Sequence, residues 1–171
     1  MSRQLLILRH AKSAWNTGAP TDFDRPLAPR GQKAAPKMGS WLKKQGIVPD
    51  HVVSSPARRA KQTVKLACKK LGYPKKSIQW EERIYGAGVE DFLSVLAETP
   101  STAERVMIVG HNPGLEFLFA HLVGTETFED HYDAFIIKTA TSVLLQMPDD
   151  WTNLSRGCAK FVFRQHPREL P

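Results

Sequence analysis

Arg9-His10 closes the short apolar run Leu5-Leu6-Ile7-Leu8, and two later stretches end in side chains of the same kind. Ser54-Ser55-Pro56-Ala57-Arg58-Arg59 follows His51-Val52-Val53, and Gly110-His111 follows Val106-Met107-Ile108-Val109. Two imidazoles and at least two guanidiniums brought together would suit a tetrahedral oxyanion, because a guanidinium offers a planar fork of donors that matches phosphate oxygens. Nearby guanidiniums also disfavour protonation of an imidazole, which keeps it available as a nucleophile near neutral pH. These residue types point to phosphate chemistry if the fold gathers them.

The gathering falls to strands and helices that can be read from periodicity. Gln4 to Leu8 reads as a fully buried strand, apolar without alternation, and His51 to Ser54 as a second. Ile78-Gln79-Trp80 predicts a short third strand and Arg105 to Val109 a fourth; Ser142 to Met147 and Ala159 to Arg164 follow, the last alternating as an edge strand does. Between them, Ala35, Met38, Trp41 and Leu42 recur at helical spacing and predict a helix from Gln32 to Lys44, with Pro36 in its first turn. Ala57 to Leu71 predicts a basic amphipathic helix opened by Pro56 and ended by Gly72. Val89 to Leu96 repeats the pattern through Phe92 and Leu93, and Leu115 to Val123 closes at Gly124. Gly18-Ala19-Pro20 and Arg25-Pro26 mark a loop. Alternating strands and helices predict a three-layer α/β/α sandwich around a mostly parallel sheet. In such a sheet the strand ends that carry Arg9-His10, Arg59 and His111 face one crevice, where α/β folds place their ligands.

At 171 residues and 42% hydrophobic, the chain fits a single domain over 1–171, without repeat, low-complexity tract or linker. Lys and Arg outnumber Asp and Glu, 24 to 17, and the resulting charge of +7 favours encounter with anionic substrates. Cys68 and Cys158 match no metal or redox spacing and read as reduced thiols. Leu5 to Leu8 is far too short for a signal-peptide core or a membrane span, so a soluble cytoplasmic protein without membrane association is expected. His51, His121, His131 and His166 share no metal-ligand spacing and read as structural or solvated, and no metal or other cofactor is expected. His131 lies in the acidic stretch Glu129-Asp130-His131-Tyr132-Asp133, a candidate rim for the crevice or simply an acidic loop. The helix carrying Lys61, Lys65, Lys69 and Lys70 reads as a solvated face, with an acidic protein partner as the alternative. Aromatic residues do not interleave with it, so no nucleic-acid partner is expected.

Arg9-His10-Ala11-Lys12-Ser13-Ala14-Trp15-Asn16 resembles the Arg-His-Gly signature of the histidine phosphatase superfamily, the phosphoglycerate mutase-like fold. Ser55-Pro56-Ala57-Arg58-Arg59-Ala60-Lys61-Gln62-Thr63 is similar to that family's second motif, and Gly110-His111-Asn112 to its third, in the family's order. Ala11 in place of the usual glycine, and Asp24-Arg25-Pro26-Leu27 followed by Arg30-Gly31, resemble the small phosphohistidine phosphatase branch of the SixA type.

That resemblance implies that His10 takes the phosphoryl group, Arg9 and Arg59 clamp its oxygens, and His111 stabilises the charge in flight. Asn16 is similar to the family's phosphate-loop asparagine, and Ser13 would be a further donor. Mutases and phosphomonoesterases of the superfamily use a carboxylic acid to protonate the leaving group, and Glu82 in Glu81-Glu82-Arg83-Ile84-Tyr85-Gly86 resembles it. An alkoxide needs that proton as it departs, whereas an imidazole leaving from phosphohistidine needs little help. The implied substrate is a phosphorylated protein or peptide, hydrolysed without cofactor. The alternatives are a small phosphate monoester with Glu82 as acid, and a phosphate-binding module without turnover.

Overall fold

The computed structural model describes residues 3–124 and 135–171. Its sheet has six strands: β1 (Arg3–Arg9), β2 (His51–Ser54), β3 (Gln79–Trp80), β4 (Arg105–Gly110), β5 (Ser142–Met147) and β6 (Lys160–Gln165), in the order β3-β2-β4-β1-β5-β6. β3, β2, β4 and β1 are mutually parallel, whereas β5 runs antiparallel to both β1 and β6. The α-helices among the described residues are α1 (Pro29–Lys44), α2 (Arg58–Leu71), α3 (Val89–Ala97) and α4 (Gly114–Val123).

Strand alternation sorts the apolar residues into two layers. Leu6, Leu8, Val52, Met107 and Val109 pack with Met38 and Leu42 of α1 and Val64 and Leu71 of α2. Leu5, Ile7, Val53, Val106 and Ile108 pack on the opposite face with Phe92 and Leu96 of α3 and Leu118 and Phe119 of α4. Both faces of β1 and β4 are covered, which is why Leu5 to Leu8 and Val106 to Val109 read as unbroken apolar runs. The arrangement is the α/β/α sandwich expected from the sequence.

Two glycines set the fit of α1. A Cβ on Gly39 would stand 2.5 Å from the Ala67 carbonyl oxygen of α2, and one on Gly31 would stand 2.2 Å from the Lys12 carbonyl oxygen. Gly31 therefore lets the first turns of α1 press against the loop that follows β1 and begins at His10.

Two prolines differ from the sequence reading. Pro29, not Pro36, opens α1, and Pro36 sits inside the helix. Its missing N–H would have served the carbonyl of Gln32, an exposed residue at which water can take the donor's place. Pro56 lies ahead of α2, whose first residue is Arg58 after Ala57 at the cap; Gly72 ends it in the left-handed conformation, as expected. Cys68 is buried in the α2 face of the core, where desolvation pushes its thiol up to about 12. The acidic stretch around His131 lies outside the described residues.

Candidate active site

The parallel strands β1, β2 and β4 end at one edge, and their ends meet as pairing demands: Arg9 opposes Gly110 and Ser54 opposes Val109. The chain continues into His10, Ser55 and His111, and the His10 and His111 rings stand 5.1 Å apart, tilted by 48°. Both rings are almost fully buried.

His10 Nδ1 lies 2.7 Å from its neighbour's carbonyl, Ala11 O. A carbonyl can only accept, so the ring is protonated at Nδ1 and presents a lone pair at Nε2. Desolvation, then His111, Arg59 and Arg9, press the His10 pKa down to about 3, leaving the ring neutral at physiological pH.

His111 is fixed by Ser55, whose hydroxyl lies 2.8 Å from Nε2. A hydroxyl oxygen can accept twice, but the Ser55 hydrogen has no other acceptor among the described residues, so it goes to His111 Nε2 while the oxygen accepts the Ala57 N–H at 3.2 Å. His111 is then protonated at Nδ1, and that nitrogen is buried without a partner among the described residues. An unpaired buried donor beside cations is poised for an oxyanion. Desolvation and then Arg59 lower the His111 pKa to about 4.

The arginines are held from behind. Arg9 donates from Nη1 to Ile137 O at 3.0 Å, a carbonyl that also accepts from Asn112 Nδ2 at 2.7 Å. Arg9 Nε is buried and unpartnered among the described residues. Burial lowers the Arg9 pKa, the Glu116 carboxylate opposes that shift, and Arg59 adds to it. Arg59 is buried, whereas its neighbour Arg58 is exposed and, among the described residues, reaches only the Asp24 carbonyl at 3.5 Å. Arg58 is thus a solvated helix charge. Thr63, one turn further along α2, donates to Arg59 O at 2.7 Å and accepts the Ala11 N–H at 2.9 Å. It ties the β1 loop to the helix that carries Arg59.

Among the described residues, none of the other expected side chains hydrogen-bonds to this cluster. Ser13 is buried, but its hydroxyl accepts from Arg25 Nη2 at 2.6 Å. Asn16 is exposed in the left-handed conformation, φ 56°, in the loop between β1 and α1. Glu82 is exposed on the turn after β3 and has no hydrogen bond to His10, Arg9, Arg59 or His111. The neighbouring Glu81 pairs with Arg83, which also holds Glu98.

Asp22 and Tyr85 carry weight that the sequence reading did not assign them. The Asp22 carboxylate accepts from Tyr85 OH at 2.8 Å, Arg25 Nη1 at 2.9 Å and Arg59 Nη2 at 3.0 Å. Those bonds, the tyrosine's first, hold its pKa down at about 2. The Tyr85 ring meets His111 edge-on with centroids 5.4 Å apart. The one hint in the sequence was Tyr85's place in the Glu-Arg-x-Tyr-Gly stretch.

Comparison with known proteins bears on the same edge. The family model of the histidine phosphatase superfamily (branch 1) matches residues 5–89, which hold the first two motifs. An uncharacterized protein of Mycobacterium tuberculosis (strain ATCC 25618 / H37Rv), Rv1276c, is 32% identical over 164 residues, covering 94% of this chain and all of that protein. The chain belongs to the histidine phosphatase superfamily. Among solved histidine phosphatase structures, one from Nakamurella multipartitia named phosphohistidine phosphatase SixA superposes with a TM-score of 0.83 at 30% identity, covering 98% of this chain and 97% of that one. The protein histidine phosphatase SixA complexed with tungstate superposes at 0.81 with 25% identity, covering 98% and 99%. As a histidine phosphatase, the chain shares both the fold and the overall extent of these SixA structures. No described helix is long and apolar enough to cross a membrane.

Proposed function

We propose that this histidine phosphatase hydrolyses phosphohistidine in proteins or peptides through a phosphoryl intermediate on His10. The observation that carries the reading is the His10 Nδ1 bond to Ala11 O, which leaves Nε2 without a hydrogen-bond partner among the described residues, on a ring beside His111 and within the field of Arg59 and Arg9. The likeness to SixA structures, one of them holding tungstate, supports the choice of substrate.

In the first step Nε2 attacks phosphorus, an N–P bond forms, and the substrate's N–P bond breaks with its electron pair going to the departing ring, which leaves as neutral imidazole because its other nitrogen already carries a proton. In the second step water attacks, its oxygen bonds to phosphorus, and the His10 N–P bond returns its pair to Nε2. Each step spreads negative charge over equatorial oxygens, where Arg9, Arg59 and the His111 Nδ1–H stabilise it. Splitting the displacement in two lets a neutral imidazole do what water does poorly alone. Because Glu82 is exposed and unbonded to the cluster, the reading favours a leaving group that needs little protonation.

The deciding experiment gives the protein a phosphohistidine peptide, a phosphoserine peptide and an aryl phosphate in parallel. Release from the first alone is expected, with acid-labile phosphate trapped on the enzyme by rapid quench and absent in His10→Ala. Full turnover by that variant would overturn the mechanism. Phosphoserine or aryl phosphate hydrolysis lost in Glu82→Gln would establish instead the monoesterase reading, with Glu82 as acid.

A further inference from the structure

Beside the catalytic cluster, at the same edge of the sheet, lies a cavity of about 670 Å³. Four segments wall it: the end of β1 with Lys12, the outer side of α1, the Lys138-Thr139 approach to β5, and the turn 166–169 after β6. Its lining holds seven Lys or Arg residues against a single carboxylate, Glu169, so any occupant must be strongly anionic. Arg9 is shared with the catalytic cluster.

The cations are not spent on each other's neighbours. Among the described residues none of the seven forms an ion pair, and the bonds that two of them make run to carbonyls: Arg9 to Ile137 and Lys37 to Leu170. Lys33 and Lys37, one turn apart on α1, are both exposed. Holding like charges around a concavity without counter-ions is unfavourable, and low-dielectric walls focus the resulting field on whatever anion enters. The volume lies in the small-molecule range of about 300–1,000 Å³.

We infer that this cavity is a second anion site that takes a compact polyanion, a small molecule bearing two or more phosphate groups. The site does not require His10 to be a nucleophile, and Arg9 places any phosphate bound there next to the one at the catalytic cluster.

Inorganic tripolyphosphate is the probe, titrated calorimetrically in 0.15 M salt with orthophosphate as reference. One-to-one binding is expected, at least tenfold tighter than orthophosphate, and weakened at least tenfold by Lys33→Glu/Lys37→Glu. The same reversal on α2, Lys69→Glu/Lys70→Glu, changes net charge equally and is expected to shift affinity less than twofold. Arg59→Ala is expected to retain binding within about threefold. Circular dichroism checks the fold, and Lys33→Gln/Lys37→Gln is expected to give a smaller loss in the same direction. Equal losses in the α1 and α2 reversals would show a diffuse net-charge effect, and a loss confined to Arg59→Ala would place the ligand in the catalytic cluster. Either outcome, no binding, or tighter binding of a hexaglutamate peptide would overturn the inference. Turnover assays on His10→Ala remain a separate test of the phosphatase reading.

Discussion

Arg59 grips Asp22 twice, donating from Nη2 to the carboxylate at 3.0 Å and from Nη1 to the carbonyl at 2.8 Å. The arginine proposed to clamp a phosphoryl group is thus already engaged with an anion on the neighbouring loop. That loop is further knitted by Arg25, which bonds Asp22, Ser13 and Ala14 and stacks over Trp15 at 3.5 Å.

A bound oxyanion must share Arg59 with this half-exposed carboxylate, and the two negative charges repel. Asp22→Asn keeps an acceptor for Tyr85 and removes the charge. Orthophosphate is expected to inhibit that variant more tightly, by about fivefold or roughly 1 kcal/mol at this solvent exposure. Inhibition constants at fixed salt measure it, and weaker inhibition would mean that Asp22 serves chiefly to orient Arg59.

Thr63 joins Ala11 to Arg59 through one buried hydroxyl. Thr63→Val conserves shape but strands the Ala11 N–H, at an expected loss of about 1–3 kcal/mol in urea unfolding. Thr63→Ser should restore most of it. An unchanged unfolding midpoint for the valine variant would contradict this role.

Gly31→Ala sets a methyl group against the Lys12 backbone, where no flexible side chain can yield. Helix propensity favours alanine by up to about 1 kcal/mol, while overpacking costs about 1–3 kcal/mol, so net destabilisation is expected. Phosphate affinity should fall as well, because the displaced segment leads from His10. Chemical denaturation and product inhibition test the two halves.

Acidification should destabilise the fold through the two site histidines. Unfolded histidine takes a proton below about pH 6.5, whereas folded His10 and His111 resist down to about 3 and about 4. Between those limits the unfolded chain binds more protons, so stability falls with falling pH, by up to about 1.4 kcal/mol per pH unit for each ring. Asp22 acts lower: its contribution holds above the usual carboxylate range and is lost only as pH falls toward about 2. Thermal unfolding from pH 7 to pH 4 should therefore be flatter in His10→Asn/His111→Asn than in wild type, and parallel slopes would refute the assignment.

The sequence by itself determined the central strands, because Leu5 to Leu8, Val52-Val53 and Val106 to Val109 are short apolar runs, too brief for helices, that the fold buries on both faces. It also determined which side chains stand at the strand ends, since His10, Ser55 and His111 simply follow the last paired residues. Pro36 misled, because a proline in a helical pattern looks like a start until Pro29 is seen to occupy that position. What only the tertiary structure decided are contacts between segments far apart in the chain: Asp22 with Arg59 and Tyr85, Thr63 with Ala11, and the cations of α1 gathered with Lys138 and Arg168. The physical reason is that periodicity reports a residue's own burial, whereas a carboxylate or hydroxyl in a loop takes its meaning from whichever partner the folded chain brings within about 3 Å.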